Sequence, residues 1–277
     1  MKKRSKVARR ITIDRLFTVL VSLLSLSLLI PLTGILLTIL SKGFSVLSFS
    51  FFTELPKPIG EQGGGIANAI LGTLMLIFYS SLMAVPFGVV VGIFLSEKKA
   101  SFLSKWVRIA VETLQGIPSI VFGVIAYIWI VLTLGQFSIL SGSLALALIM
   151  FPVICKTSEE SMSLIPTSLK EASLALGVSY YVTVLKVMLP AARKGIISGV
   201  LLGVARISGE TAPLLFTAFG NPYFSVHVLK SVNAVPLLIY NYATSPYQEW
   251  QNVAWGASFV LVMFVLLLSI VSRVVSR

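Results

Sequence analysis

The sequence predicts an all-α, polytopic membrane protein with six transmembrane helices and both termini in the cytoplasm. Its apolar content, the length of its apolar runs and the one-sided placement of its basic residues all point that way. Hydrophobic residues make up 56% of the 277-residue chain, 12% are charged, and the mean hydropathy is +0.95. A soluble domain carries roughly 25% charged residues. The apolar residues fall into six runs, 16–40, 66–95, 107–134, 137–155, 195–219 and 251–271. Each is close to or above the ~20 residues that a helix needs to cross a bilayer.

The first run follows a basic tail, residues 1–15, that contains Lys2, Lys3, Arg4, Lys6, Arg9, Arg10 and Arg15. A secretory signal also starts with basic residues, but its apolar region spans only about 7–15 residues. This run is longer and no small-residue cleavage pattern follows it, so an uncleaved first span is expected at 16–40. Residues 41–65 form an external loop. Its Gly63-Gly64-Gly65 run leads into Ile66 rather than Lys-Ser, which excludes a phosphate-cradling nucleotide loop and leaves a turn before the second span.

The remaining five runs make one unit, 66–271. The third and fourth are separated by only Gly135 and Gln136, which predicts a tight hairpin, and the fourth is short with Pro152 near its end. The fourth-to-fifth connection, 156–194, is the longest on its side. On the other side residues 220–250 form a second sizeable loop. Its apolar stretch 232–240 is too short to cross, and Tyr240, Tyr242 and Tyr247 suit a membrane–water interface.

The net charge of +12 raises the question of a polyanionic partner. Eighteen of the 22 Lys and Arg lie in the N-terminal tail, the second-to-third connection, the 156–194 connection and the C-terminus. Only Lys42, Lys57 and Lys230 lie opposite, so the basic side is assigned to the cytoplasm and the charges act as topology determinants. No loop interleaves basic and aromatic residues, so nucleic acid is not an expected partner and the lipid bilayer is. Cys155 is the single cysteine and His227 the single histidine, which leaves no material for a disulfide, a metal site or a catalytic triad.

The 156–194 connection reads Glu171-Ala172-Ser173, then Gly177, then Val187-Met188-Leu189-Pro190. This resembles the EAA loop of ABC importer permeases, with Ser173 in place of an alanine and Val187 in place of an isoleucine. Ser168 is placed to cap a short helix, with Glu171 three residues on completing a capping box. Leu169, Ala172 and Leu176 then share a face for a partner's groove, and Gly177 ends the helix. Taken without the resemblance, the same pattern describes an ordinary amphipathic connector. The chain contains no Gly-x-x-x-x-Gly-Lys-Ser/Thr, so nucleotide binding of that kind falls to a separate subunit.

Arg206 lies about eleven residues past the inner start of the fifth run, ~16 Å deep at 1.5 Å per residue. An arginine at that depth costs at least ~2.5 kcal/mol on insertion scales and faces a partner or a wet cavity. Glu210 is spaced to pair with it at i,i+4. Gly195, Gly199 and Gly203 recur every four residues, a pattern of close helix packing. The steps from Gly199 through Gly203 and Arg206 to Glu210 predict one stripe, with both charges in the packed seam. Two readings follow, an ion pair that locks two helices or a cationic station on the route of an anion. Glu112 lies one turn after Arg108 near the inner boundary, where an interfacial pair costs little. Gln115 and Ser119 lie deeper and offer hydrogen bonds, to a permeant or across a helix seam.

The stretch from Gly209 to Ala218, Gly-Glu-Thr-Ala-Pro-Leu-Leu-Phe-Thr-Ala, and the stretch from Glu112 to Gly123 are similar to the PstA family, permease subunits of the bacterial phosphate ABC transporter. With the loop, the resemblance covers essentially the whole chain. It implies a MetI-like ABC permease core and no enzymatic activity of its own. It also implies a PstC-like second permease, a homodimeric PstB-like ATPase that holds ATP-Mg, and a PstS-like extracytoplasmic binding protein that delivers inorganic phosphate. The expected pathway residues are Arg206, Glu210, Thr211, Gln115 and Ser119. Those expected to couple to the ATPase are Ser168, Leu169, Glu171, Ala172, Gly177, Leu189 and Pro190, and the chain itself is expected to bind no cofactor. The expected place is the bacterial inner membrane. A permease for molybdate or sulfate, an ATP-independent transporter and an enzyme acting on lipids are the alternatives; the loop spacing opposes the second, and the lack of a nucleophile or metal cluster opposes the third.

Overall fold

The computed structural model describes residues 2–61 and 63–276, with side chains from Ile13 onward. Arg277 and the side chains of the basic run before Ile13 lie outside the described residues. The described chain is helical apart from its connections and one isolated bridge, Phe219 to Val232.

Helix α1 (Lys2–Phe44) exposes apolar side chains on every side from Leu16 to Leu40. It touches the rest of the chain near its outer end, where Gly43 lies against Trp255 and Phe259 and the Lys42 ammonium sits 5.1 Å from the Trp255 ring centre. A short α2 (Phe49–Thr53), capped by the Ser48 side chain, leads through two left-handed glycines, Gly63 and Gly64, to α3 (Ala67–Glu97). Small residues line the inner face of α3. A Cβ added at Gly88 would lie 2.9 Å from the Ile154 Cβ, and one at Gly92 would lie 2.5 Å from the Ser158 Cβ. Both contacts belong to α6 (Ile139–Ser163), whose first turn is fixed by reciprocal hydrogen bonds between Ser138 and Ser141. This helix is the centre of the bundle. It runs to Ser163 with Pro152 in mid-helix, so the fourth run is longer than the sequence reading had it.

The third run, expected as one span over 107–134, is two helices. α4 (Phe102–Gly116) and α5 (Ser119–Leu134) meet at an angle of 102°. The cause is local: Pro118 has no N–H to continue the ladder, and its ring drives Ile117 to an extended φ of −74° and ψ of 131°. Within α5, residues Tyr127–Val131 form a π-helical turn. A left-handed Gly135 then turns the chain back towards α6.

After α7 (Thr167–Ala175) comes α8 (Tyr180–Ser208), which starts well before the expected residue 195 and stops well before 219. Its early stretch Thr183–Met188 is π-helical, immediately ahead of Pro190. A proline clashes with the carbonyl four residues back, and widening the helix relieves that clash. The helix stops at Gly209, whose carbonyl would need an N–H from Pro213. A single turn, α9 (Ala212–Leu215), follows.

The segment expected as a plain outer loop is tied into the bundle. Asn68 Nδ2 donates to the Asn221 carbonyl at 2.8 Å, and the Val235 N–H donates to Thr73 Oγ1 at 2.9 Å. Gly72 admits the Asn233 carbonyl, which would be 2.0 Å from an added Cβ. Helix α10 (Val235–Ala243) buries Val235, Leu237 and Leu238. Helix α11 (Gln248–Ser276) closes the bundle and meets α8 through the Ser198 and Ser272 hydroxyls, 2.6 Å apart.

Candidate functional site

Two interrupted helices meet inside the bundle. Gly123, one turn into α5, backs onto α9: an added Cβ would lie 2.6 Å from Pro213 Cα and 3.0 Å from its carbonyl oxygen. Phe122 and Leu214, beside that contact, join the main core with Leu146, Met150 and Ile207. The break at Ile117–Pro118 and the break at Gly209 are thereby held as neighbours. Each leaves backbone groups that no helical partner takes up.

Arg206 sits in the last turn of α8 and is exposed on the surface of the chain. The expected pair with Glu210 does not form. The ion pairs among the described residues are Lys57–Glu54, Arg108–Glu159 and Lys170–Glu97. An i,i+4 pair needs both residues in one helix, and Gly209 has already turned the chain away. Its N–H reaches the Arg206 carbonyl at 3.4 Å, and the Glu210 N–H reaches Ile207 at 3.2 Å. The expected stripe fails for a related reason. The seam against α6 runs strictly in fours: Gly195 faces Ser161, Gly199 faces Thr157, Gly203 faces Met150, and the next place is taken by Ile207. Arg206 is one residue off that line and points out of it.

The other expected pathway residues are spread over both breaks. Thr211 is half-buried at the start of α9, and its carbonyl accepts from Leu214 and Leu215. Ser119 is the half-buried first residue of α5. Gln115, a turn before the bend, donates to the Pro152 carbonyl of α6 at 3.3 Å. Glu112 is exposed and does not pair with Arg108, which crosses to Glu159 of α6 instead. No local spacing announces that partner, 51 residues away.

On the side assigned to the cytoplasm, Arg108, Glu112, Lys156, Glu159, Glu160 and Lys99 line a polar cleft of about 240 Å³. On the outer side a cleft of about 530 Å³ lies between residues 55–58 and the 219–223 segment. There Tyr242 stacks on Trp250 at 4.5 Å, and burial raises its phenol pKa above the ordinary value. Phe219, at the edge of this cleft, holds a left-handed φ of 61° and stacks on Phe137 at 4.6 Å.

Helix α7 carries most of the residues expected to couple to an ATPase. Its cap is Pro166, and no side chain closes the N-terminus, so the expected capping box of Ser168 and Glu171 is absent. Pro166 fixes an extended entry that starts the helix two residues early, at Thr167, and leaves Ser168 inside the first turn. Leu169, Ala172 and Leu176 are exposed together, Leu176 at 83%. Gly177 ends the helix in the left-handed region at φ 78°, and the Val178 N–H returns to the Ser173 carbonyl. Leu189 and Pro190 follow the π stretch in α8. Missed by sequence reasoning is the inner side of this helix, where Lys170 pairs with Glu97 at the end of α3. The available signal was Glu97 itself, an acidic residue beside the basic cluster that opens the connection. Among the described residues no group of three His, Cys, Asp or Glu side chains is placed to hold a metal ion.

Residues 84–277 match the family described as "Binding-protein-dependent transport system inner membrane component". The chain is 38% identical over 274 residues to the phosphate transport system permease protein PstA of Yersinia pestis, covering 99% of this chain and 93% of that protein. It is 37% identical to a probable phosphate transport system permease protein PstA of Methanocaldococcus jannaschii, covering 91% and 90%. Among solved structures, an inward-facing MetNI methionine ABC transporter chain aligns with a TM-score of 0.64 at 22% identity, over 76% of this chain and 96% of that one. A chain of a bacterial alginate ABC transporter aligns with a TM-score of 0.66 at 15% identity, over 97% and 98%. At those identities the likeness is one of fold.

Proposed function

This chain belongs to the binding-protein-dependent transport system inner membrane components, in the PstA family, and we propose that it forms half of the pathway of an ATP-driven importer of inorganic phosphate. It is a multi-pass membrane transport subunit, and its family works with an ATPase and a binding protein. The finer assignment is a bacterial inner-membrane complex with a PstC-like permease, two PstB-like ATPase copies carrying ATP-Mg, and a PstS-like protein delivering phosphate outside. Residues 66–271 make the permease core, 16–40 the added first span and 156–194 the coupling connection.

The observation that carries the pathway is Arg206. It has no carboxylate partner among the described residues, is exposed from its own chain, and lies three residues before the break at Gly209. A guanidinium within a spanning helix needs a counter-charge or water. A fork of N–H donors facing a path shared with a second permease supplies both a reason for its cost and a bidentate grip on a tetrahedral anion. Glu210 and Thr211 after the Gly209 break and Ser119 after the Pro118 break complete the polar lining.

The test is radiolabelled phosphate uptake in cells lacking their own high-affinity system, with this chain and its neighbouring subunits, with sulfate and molybdate as competitors. ATP-dependent uptake that survives both competitors supports phosphate import; uptake blocked by either returns the substrate to another oxyanion. Arg206→Ala is expected to abolish that uptake while the complex still co-purifies with its ATPase. Loss of the complex instead assigns Arg206 to helix packing.

A further inference from the structure

We infer that Glu97 is the anchor through which α7 drives the membrane helices, a positioning residue for ATP-powered transport. The inference rests on the importer reading above. Glu97 is the last residue of α3, and its side chain is only 9% exposed. A carboxylate there faces the negative end of the helix dipole, where a cation is the favoured occupant. Position and burial both disfavour the charge, so the groups around it must compensate.

They come from two other helices. Lys170 of α7 forms an ion pair and hydrogen bond with Glu97 Oε2. The Tyr180 hydroxyl, from the first residue of α8, donates to the same oxygen at 2.6 Å. The Lys170 ammonium also sits 5.1 Å from the centre of the Tyr180 ring. Three helices thus converge on one carboxylate oxygen. A second strut lies alongside, where the Ser173 and Thr183 hydroxyls are 2.9 Å apart and both residues are buried.

The two faces of α7 are therefore divided. Leu169, Ala172 and Leu176 look outward to a partner, while Lys170 and Ser173 tie the helix inward. A push on the outer face reaches α3 through Glu97 and α8 through Tyr180 and Thr183. From α3 it passes to α6 across the Gly88 and Gly92 contacts, where backbones and side chains leave no slack. From α8 it passes along the helix that carries Arg206. The coupling connection and the pathway are linked by charge at one end and by close packing along the way.

The test uses the whole complex, this chain with its second permease and ATPase, reconstituted in vesicles with the binding protein. Glu97→Gln keeps the size and removes the charge. Three quantities are read: subunit composition, stimulation of ATP hydrolysis by the binding protein, and phosphate moved per ATP. The expected result is an intact complex with stimulation and phosphate moved per ATP each reduced about tenfold, the scale of a typical coupling energy between sites. The exchanged pair E97K with K170E is expected to recover at least about twofold of the loss, the lower end of a direct pairwise coupling. Wild-type stimulation and stoichiometry in Glu97→Gln would overturn the inference. So would loss of the ATPase from the Glu97→Gln complex with no recovery in the exchanged pair, since Glu97 would then only hold the fold. Should the wild-type complex show stimulated hydrolysis but move no phosphate, the substrate assignment fails, and the anchor is judged on the stimulation alone.

Discussion

Helices α1 and α6 are almost equally apolar over their central stretches, yet they occupy opposite environments within the chain. None of that stretch of α1 is buried against the rest of the chain, whereas two thirds of that of α6 is. Hydropathy sorts a segment into the bilayer, but lipid tails are as apolar as leucine and give two helices no reason to touch. What separates them is side-chain size. α6 carries Gly142, Ser143, Ala145 and Ala147, and its neighbours turn Gly88, Gly92, Gly199 and Gly203 towards it. α1 presents Leu23, Leu24, Leu26 and Leu28 on all sides, and nothing lies within 4 Å of a Cβ built on its Gly34. Close approach is decided by small residues in register, and the exposed α1 is left to lipid or to another subunit.

The largest break in this comparison is expected at Gly199. An added Cβ would lie 2.0 Å from Thr157 Oγ1 and 2.5 Å from its β-carbon, and Thr157 already bonds the Val153 carbonyl. The α6 backbone cannot retreat, because it is held on its other side by α3. Gly199→Leu should remove the folded complex from the monodisperse peak in detergent, exceeding the usual ~1–3 kcal/mol of overpacking. A normal peak would mean that α6 and α8 are not locked at this point. Gly142→Ala is milder. Its nearest neighbour is Leu76 Cδ2 at 2.8 Å, the far end of a flexible side chain. It should lower the midpoint of thermal unfolding with a cost of about 1 kcal/mol.

The same contrast explains what was legible in the sequence. The apolar runs, the charge bias and the glycines at 195, 199 and 203 all report properties of one segment, and the helices follow them. Where the expectation failed, the outcome depended on a proline that overrides the apolar pattern around it or on a partner far along the chain. Pro118 splits the third span and Pro213 ends the fifth early, so the Arg206–Glu210 pair loses the helix it needed. Pro166 displaces Ser168 from the cap. The Arg108–Glu159 and Lys170–Glu97 pairs join residues 51 and 73 positions apart, and no local spacing announces them. Of the proposed site, Arg206 was found because its cost was visible in the sequence. Its exposed position depends on a seam that keeps steps of four and passes it by for Ile207.

The smallest effect is expected at Gly34, and it is the most discriminating. Within α1 a glycine costs roughly 0.5–1 kcal/mol relative to alanine in helix propensity, and here no neighbour in the chain would meet the new methyl group. Gly34→Ala should therefore leave the chain purified alone unchanged or slightly more stable in a thermal unfolding assay. Gly34→Leu should behave alike there, because open space accepts either side chain. Made in the assembled complex, the same pair separates the two occupants left for α1. If lipid covers the helix, fluid tails move aside and neither substitution lowers the melting midpoint of the complex. If another subunit packs on it, Gly34→Leu lowers that midpoint while Gly34→Ala changes it far less, by the size rule that places α6 at the centre. A destabilised isolated chain would contradict the unpacked α1 of this structure and remove the basis of the comparison.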